Sequence, residues 1–198
     1  MCRTHIPALE VGGVVIPERH CTTGAEDQRV WDKVRAGCEF FVSQTVWDVD
    51  ATKRVLQAVR ARADLNERPP PRILVTLSPC GSLQTLAFLE WLGVNIPAPV
   101  RHQLTDATDM LERSVELAEH AFEELNTYAR ECGVPIGCNV ESVSSRAVEV
   151  EAATELVNRI HALHLCGRGI PSAAEDVTAP ASRETFCSEH RHQGSESY

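Results

Sequence analysis

The side chains of this sequence that can do chemistry gather just after its apolar runs. Glu18, Arg19 and His20 follow a run from Val11 to Ile16, and Gln44 to Asp48 follow one that begins at Glu39. Thr76, Ser78 and Cys80 succeed Arg72–Leu77, and Asn139, Glu141 and Ser142 close the run from Pro135. Gln44 differs from the rest because it ends an apolar run instead of starting a helix. A buried amide must satisfy a donor and an acceptor together, which the edge of a planar heterocycle can do. The expectation for Gln44 is therefore a ligand contact, its amide pointing to the mouth of the sheet and poorly hydrated. Asp48, Ser82 and Ser144 read as caps of the helices that follow them. His20 lies near Glu18 and Cys21, but one histidine and one carboxylate fall short of the four ligands of a structural zinc site. Cys187, His190 and His192 have a suggestive spacing, yet they sit in a segment too polar to fold. No metal site is expected. The glycine signatures of dinucleotide and nucleotide loops and the Gly-x-Ser-x-Gly elbow are all missing, which removes several enzyme classes.

The elements that must position these residues alternate between strand and helix. Val11–Ile16, stopped by Pro17, reads as the first strand, and Glu26–Ala36 as a helix with Val30, Trp31 and Val34 on one side. Glu39–Gln44 is the second strand, and Asp48 or Asp50 caps a helix with the stripe Val55, Ala58, Val59. Pro69-Pro70-Pro71 leads to the third strand, Arg72–Leu77. Ser82 opens a helix that Gly93 closes. The longest helix is expected from about Asp106 to Cys132, because Leu111, Val115, Ala118, Phe122, Leu125 and Ala129 keep one face apolar. Pro135–Val140 is the fourth strand and Ser145–Leu163 the last helix. Alternation of this kind predicts an α/β fold of parallel β–α units, either half of an eight-fold barrel or a small open sheet. Residues 1–166 form that domain. Residues 167–198 hold almost no aliphatic side chains, so they cannot offset chain entropy and read as a disordered tail.

Composition narrows the function classes. The chain has 198 residues, with 28 acidic against 19 basic side chains and a formal charge of −9. That balance argues against sequence-blind nucleic-acid binding, which needs a basic surface. No apolar run is long enough to span a membrane, and no secretory signal opens the sequence. The eight cysteines are scattered without a Cys-x-x-Cys pair. They read as reduced thiols in a cytoplasmic protein.

Four stretches in order resemble methylenetetrahydrofolate reductase: Gly-Gly-Val-Val-Ile-Pro-Glu-Arg-His (12–20), Lys-Val-Arg-Ala-Gly (33–37), Phe-Phe-Val-Ser-Gln (40–44) with Trp47-Asp48-Val49, and Gly-Val-Asn-Ile-Pro (93–97). The match runs from about residue 10 to 165. It implies a TIM (β/α)8 barrel of which this sequence carries strands five to eight. It also implies an oxidoreductase acting on CH–NH groups, which reduces 5,10-methylenetetrahydrofolate to 5-methyltetrahydrofolate in one-carbon and methionine metabolism. FAD would carry the hydride from NADH or NADPH. On this resemblance Gln44 and Phe88 contact substrate, while His20, Lys33 and Glu26 hold the flavin. The sequence departs from the pattern at Ile16, where the family has an aromatic residue, and at Arg29 and Asp32 on the flavin helix. The family's first half-barrel supplies the glutamate that protonates folate, so no catalytic residue is assigned here. The sequence reads as a truncated reductase that works with a complementing half-barrel or as a homo-oligomer. The alternative is a non-catalytic half-barrel that binds folate or serves as an assembly partner.

Overall fold

A computed structural model describes residues 9–165. The expected tail at 167–198, with Cys187, His190 and His192, lies outside the described residues. The chain folds as β1 (Val11–Val15), α1 (Pro17–Thr23), α2 (Glu26–Arg35), β2 (Cys38–Thr45), α3 (Val49–Leu65), β3 (Arg72–Leu77), α4 (Leu83–Trp91), α5 (Ala98–Thr105), α6 (Met110–Cys132), β4 (Ile136–Val140) and α7 (Ala147–Leu165). The four strands form one sheet in the order β1-β2-β3-β4, and every neighbouring pair is parallel. This is an α/β fold, as the alternation predicts.

Two short helices were not expected. Pro17 does not merely stop β1. It takes the first position of α1, where its missing N–H costs nothing and its fixed φ already suits a helix. The segment after Pro97 likewise forms α5, with Pro99 in its first turn. The long helix consequently begins at Met110, not near Asp106, which instead closes α5. Asp109 caps it by accepting the Glu112 N–H at 3.0 Å. Gly133 ends it with φ 72°, a left-handed conformation that favours glycine.

The apolar stripes meet where the periodicities place them. Val15, Phe41, Ile73 and Val75 of the strands pack with Val30, Val55, Val59, Phe122, Leu125 and Leu156 of the helices in one buried core. Each such side chain contributes about 1.5–3 kcal/mol on burial. A smaller cluster of Trp47, Cys80, Leu86, Leu89, Val94 and Leu104 seats α4 and α5 beyond the strand ends. The alternate strand positions face the other way. Val14 is 55% exposed, and Phe40, Val42 and Leu74 are only half-buried. Among the described residues, helices thus cover one face of the sheet and leave the other open and apolar. Among the described residues no helix is long and apolar enough to cross a membrane. Cys21, Cys38, Cys80, Cys132 and Cys138 are free thiols.

Candidate functional site

A cavity of about 710 Å³ opens at the carboxyl ends of β1 and β2, the position where parallel α/β sheets hold ligands. Its walls include Glu18 and Cys21 of α1, Gln44 of β2, Asp48 and Arg54 at the start of α3, and the turn Leu92 to Asn95 after α4. Local structure explains why these meet. The turn at Ile16–Pro17 throws α1 back over α3, so its side chains come beside the first turn of that helix. Asp48 caps α3 with Oδ1, which accepts the Ala51 N–H at 2.8 Å, while Oδ2 accepts from Asn95 Nδ2 at 3.2 Å. That second bond ties the turn after α4 to the mouth of β2. Arg54 donates through Nε and Nη2 to the Cys21 sulfur at 3.4 and 3.2 Å.

Gln44 reaches this cavity, as expected. Its Nε2 donates to the Leu92 carbonyl at 3.3 Å. Among the described residues nothing donates to its Oε1, which leaves an acceptor for a ligand. The amide is half-buried and not poorly hydrated. The reason is that Gln44 lies on the open face of the sheet, with no helix above it among the described residues.

Glu18, which the sequence places among the strand-end groups without giving it a role, is buried in a way the sequence did not show. Both of its carboxyl oxygens are shut off from water and lack a hydrogen-bond partner. Burial pushes its pKa up to about 7, its own backbone N–H offers partial relief, and the Asp48 charge adds to the rise. The available signal was its place directly after Pro17 at a strand end. Reading Pro17 as a stop concealed it.

The remaining expected site residues are not on this wall. His20 turns to α2, its Nδ1 3.7 Å from Asp27 Oδ1. Asp27 in turn accepts from Arg62 Nε and Nη2 at 2.9 and 2.6 Å. Glu26 is fully buried, its Oε1 accepting the Ile16 N–H at 2.9 Å and its Oε2 3.3 Å from Arg29. Lys33 donates to the Val14 carbonyl at 2.5 Å. Phe88 is 42% exposed and stacks on Trp91, with ring centroids 5.8 Å apart. The structure therefore brings Gln44 to the cavity, engages Glu26 and Lys33 with backbone groups, and leaves His20 Nδ1 buried near Asp27 without a hydrogen bond. The other strand-end polar groups mostly bond to each other. Thr76 Oγ1 donates to the Ser43 carbonyl at 2.7 Å and accepts from Asn139 Nδ2 at 3.1 Å.

No protein-family model matches the chain, and no curated protein matches it. Among solved structures it is similar to an uncharacterized protein from Clostridium thermocellum, with 41% identity and a TM-score of 0.75. The similarity covers 81% of this chain and 57% of that one, so the chain spans little more than half of the relative's length. That protein binds two copies of 5-methyl-5,6,7,8-tetrahydrofolic acid.

Proposed function

We propose that this chain binds a reduced folate in the cavity beside Gln44, as the second half of a (β/α)8 barrel and without a catalytic residue of its own. The observation that carries the reading is the 41% identity to a protein that binds 5-methyltetrahydrofolate. The cavity suits the ligand in size, since pockets for small molecules run to about 300–1,000 Å³. In chemistry it offers an unused amide oxygen at Gln44 and polar walls at Asp48 and Asn95. The half-barrel is supported by the sheet's open apolar face and by the edges of β1 and β4, which no strand pairs among the described residues. Apolar faces and edges of this kind call for cover. Four further β–α units, from a complementing chain or a second copy, would supply it.

Reduction of methylenetetrahydrofolate is the second reading, and the motif series from residue 12 to 97 favours it. In that reading FAD would supply hydride transfer from NAD(P)H. Two of the residues that the resemblance assigns to flavin are engaged within the protein, Glu26 with Ile16 and Lys33 with Val14, and His20 turns to Asp27 and away from the cavity. They do not form a cradle for the group, and no step is derived through it. Calorimetric titration of the purified chain with 5-methyltetrahydrofolate tests the binding reading. Saturable binding that 5-methyltetrahydrofolate and folic acid compete for is expected. Absence of heat at millimolar ligand would refute it.

A further inference from the structure

We propose that Glu18 is a specificity residue of this cavity, whose carboxylate receives the paired N–H donors of an aminopyrimidinone edge and loses its proton as the ligand binds. This rests on the folate reading above and deepens it, because a pterin carries such a donor pair.

Glu18, on α1, lines the same cavity as Gln44 at the end of β2. Both its oxygens are buried and unpaired. Buried polar atoms are nearly always hydrogen-bonded, so an orphaned carboxyl at a cavity wall has unused capacity. To meet a ligand in the cavity the sealed carboxyl must turn to another staggered rotamer. A carboxylate accepts two parallel N–H bonds in bidentate fashion, and such charge-assisted bonds are the strong ones. Gln44 offers a neutral amide oxygen and Glu18 a carboxylate, so the two residues are complementary acceptors.

The charges around Glu18 set its protonation. On α1 itself Arg19 turns away to Glu26, 3.6 Å distant. His20 faces Asp27 of α2. From α3 come Asp48, whose charge disfavours ionisation of Glu18, and Arg54, which is committed to Cys21. Among the described residues no cation is therefore paired with Glu18, and its carboxyl is held near pKa 7, chiefly by burial. Two N–H donors from a ligand favour the charged form and pull that value down. Binding then releases a proton wherever the free protein holds one, below about pH 7. The sign follows. Affinity rises with pH up to about 7 and levels off above it.

The test uses the full chain and 5-methyltetrahydrofolate as probe, titrated by calorimetry from pH 5.5 to 8.5. Each pH is run in two buffers of different ionisation heat, so that proton release is read directly. The wild-type affinity is expected to fall several-fold to about tenfold per pH unit below 7, with close to one proton released at pH 6 and almost none at pH 8.5. Glu18→Gln is expected to bind about tenfold more weakly at pH 8 and to show a flat pH profile. Proton release by the wild type needs no variant, so a poorly folding Glu18→Gln would not shield the proposal. Wild-type binding with no proton release at pH 6, or an unchanged profile in Glu18→Gln, overturns the role of Glu18 and leaves the folate reading standing. No binding by the wild type at any pH overturns both.

Discussion

Replacing Glu26 by alanine separates the two roles this residue has been given. The resemblance assigns it to flavin, whereas the structure buries it completely, with Oε1 on the Ile16 N–H at 2.9 Å. Alanine leaves that N–H without its partner at the corner between β1 and α1, which costs about 1.5–3 kcal/mol for a charge-assisted bond. The flanking arginines add little. Arg29 and Arg19 are 43% and 41% exposed, and exposed pairs contribute only about 0–1 kcal/mol. The space left by the side chain adds roughly another 1 kcal/mol. The total is about 3 kcal/mol, or a fall of roughly 6–12 °C in Tm for a chain of this size. Glu26→Gln keeps an acceptor for Ile16 and should lose only about 1 kcal/mol. Urea denaturation followed by circular dichroism reads the difference as a lower midpoint at unchanged slope. Alanine and glutamine variants with wild-type stability and lost ligand binding would refute the structural assignment.

Three other outcomes follow from the same structure. Gln44→Leu should weaken 5-methyltetrahydrofolate binding about tenfold while changing stability by less than about 1 kcal/mol, because the half-exposed amide makes one 3.3 Å bond; titration and thermal melts on the same sample check both. Glu149→Ala should cost about 3 kcal/mol in urea denaturation, since the buried carboxylate accepts from Gly81 N at 3.1 Å and Thr85 Oγ1 at 2.8 Å and joins α7 to the start of α4. Glu18→Gln should gain stability over wild type as pH rises: the folded carboxyl, near 7, lies above its ordinary 4.5, so its neutral form is favoured and stability is lost between about pH 4.5 and 7. Full burial of such a shift would correspond to about 3 kcal/mol, and partial exposure brings it to roughly 2, readable from denaturation midpoints at pH 5 and 8.

The sheet and its order were legible because the strand runs and the helical stripes differ in period. Leu125 and Ala129 on α6, and Leu156 on α7, fall in the core where spacing places them. The caps Asp48 and Ser82 were legible as well, each accepting a backbone N–H in the first turn. The prolines were harder. Pro17 and Pro99 each begin a helix, and a proline after an apolar run signals a stop and a start equally well. Misreading Pro17 hid α1, and with it the burial of Glu18. Gln44 was found from its position at a strand end, but its exposure was misjudged because local sequence does not say which sheet face lacks a cover. Glu26, Lys33 and His20 show the limit of motif transfer. A residue type at a family position does not reveal that a backbone group has engaged it, as with Glu26 and Lys33, or that it turns to another element, as His20 does toward Asp27.

The most direct measurement is a crystal structure of the chain grown with 5-methyltetrahydrofolate. The account predicts the pteridine at the carboxyl ends of β1 and β2, with its polar edge within hydrogen-bond distance of the Gln44 amide. A ligand bound elsewhere, or density at the cavity that leaves Gln44 bonded only to Leu92, would contradict it.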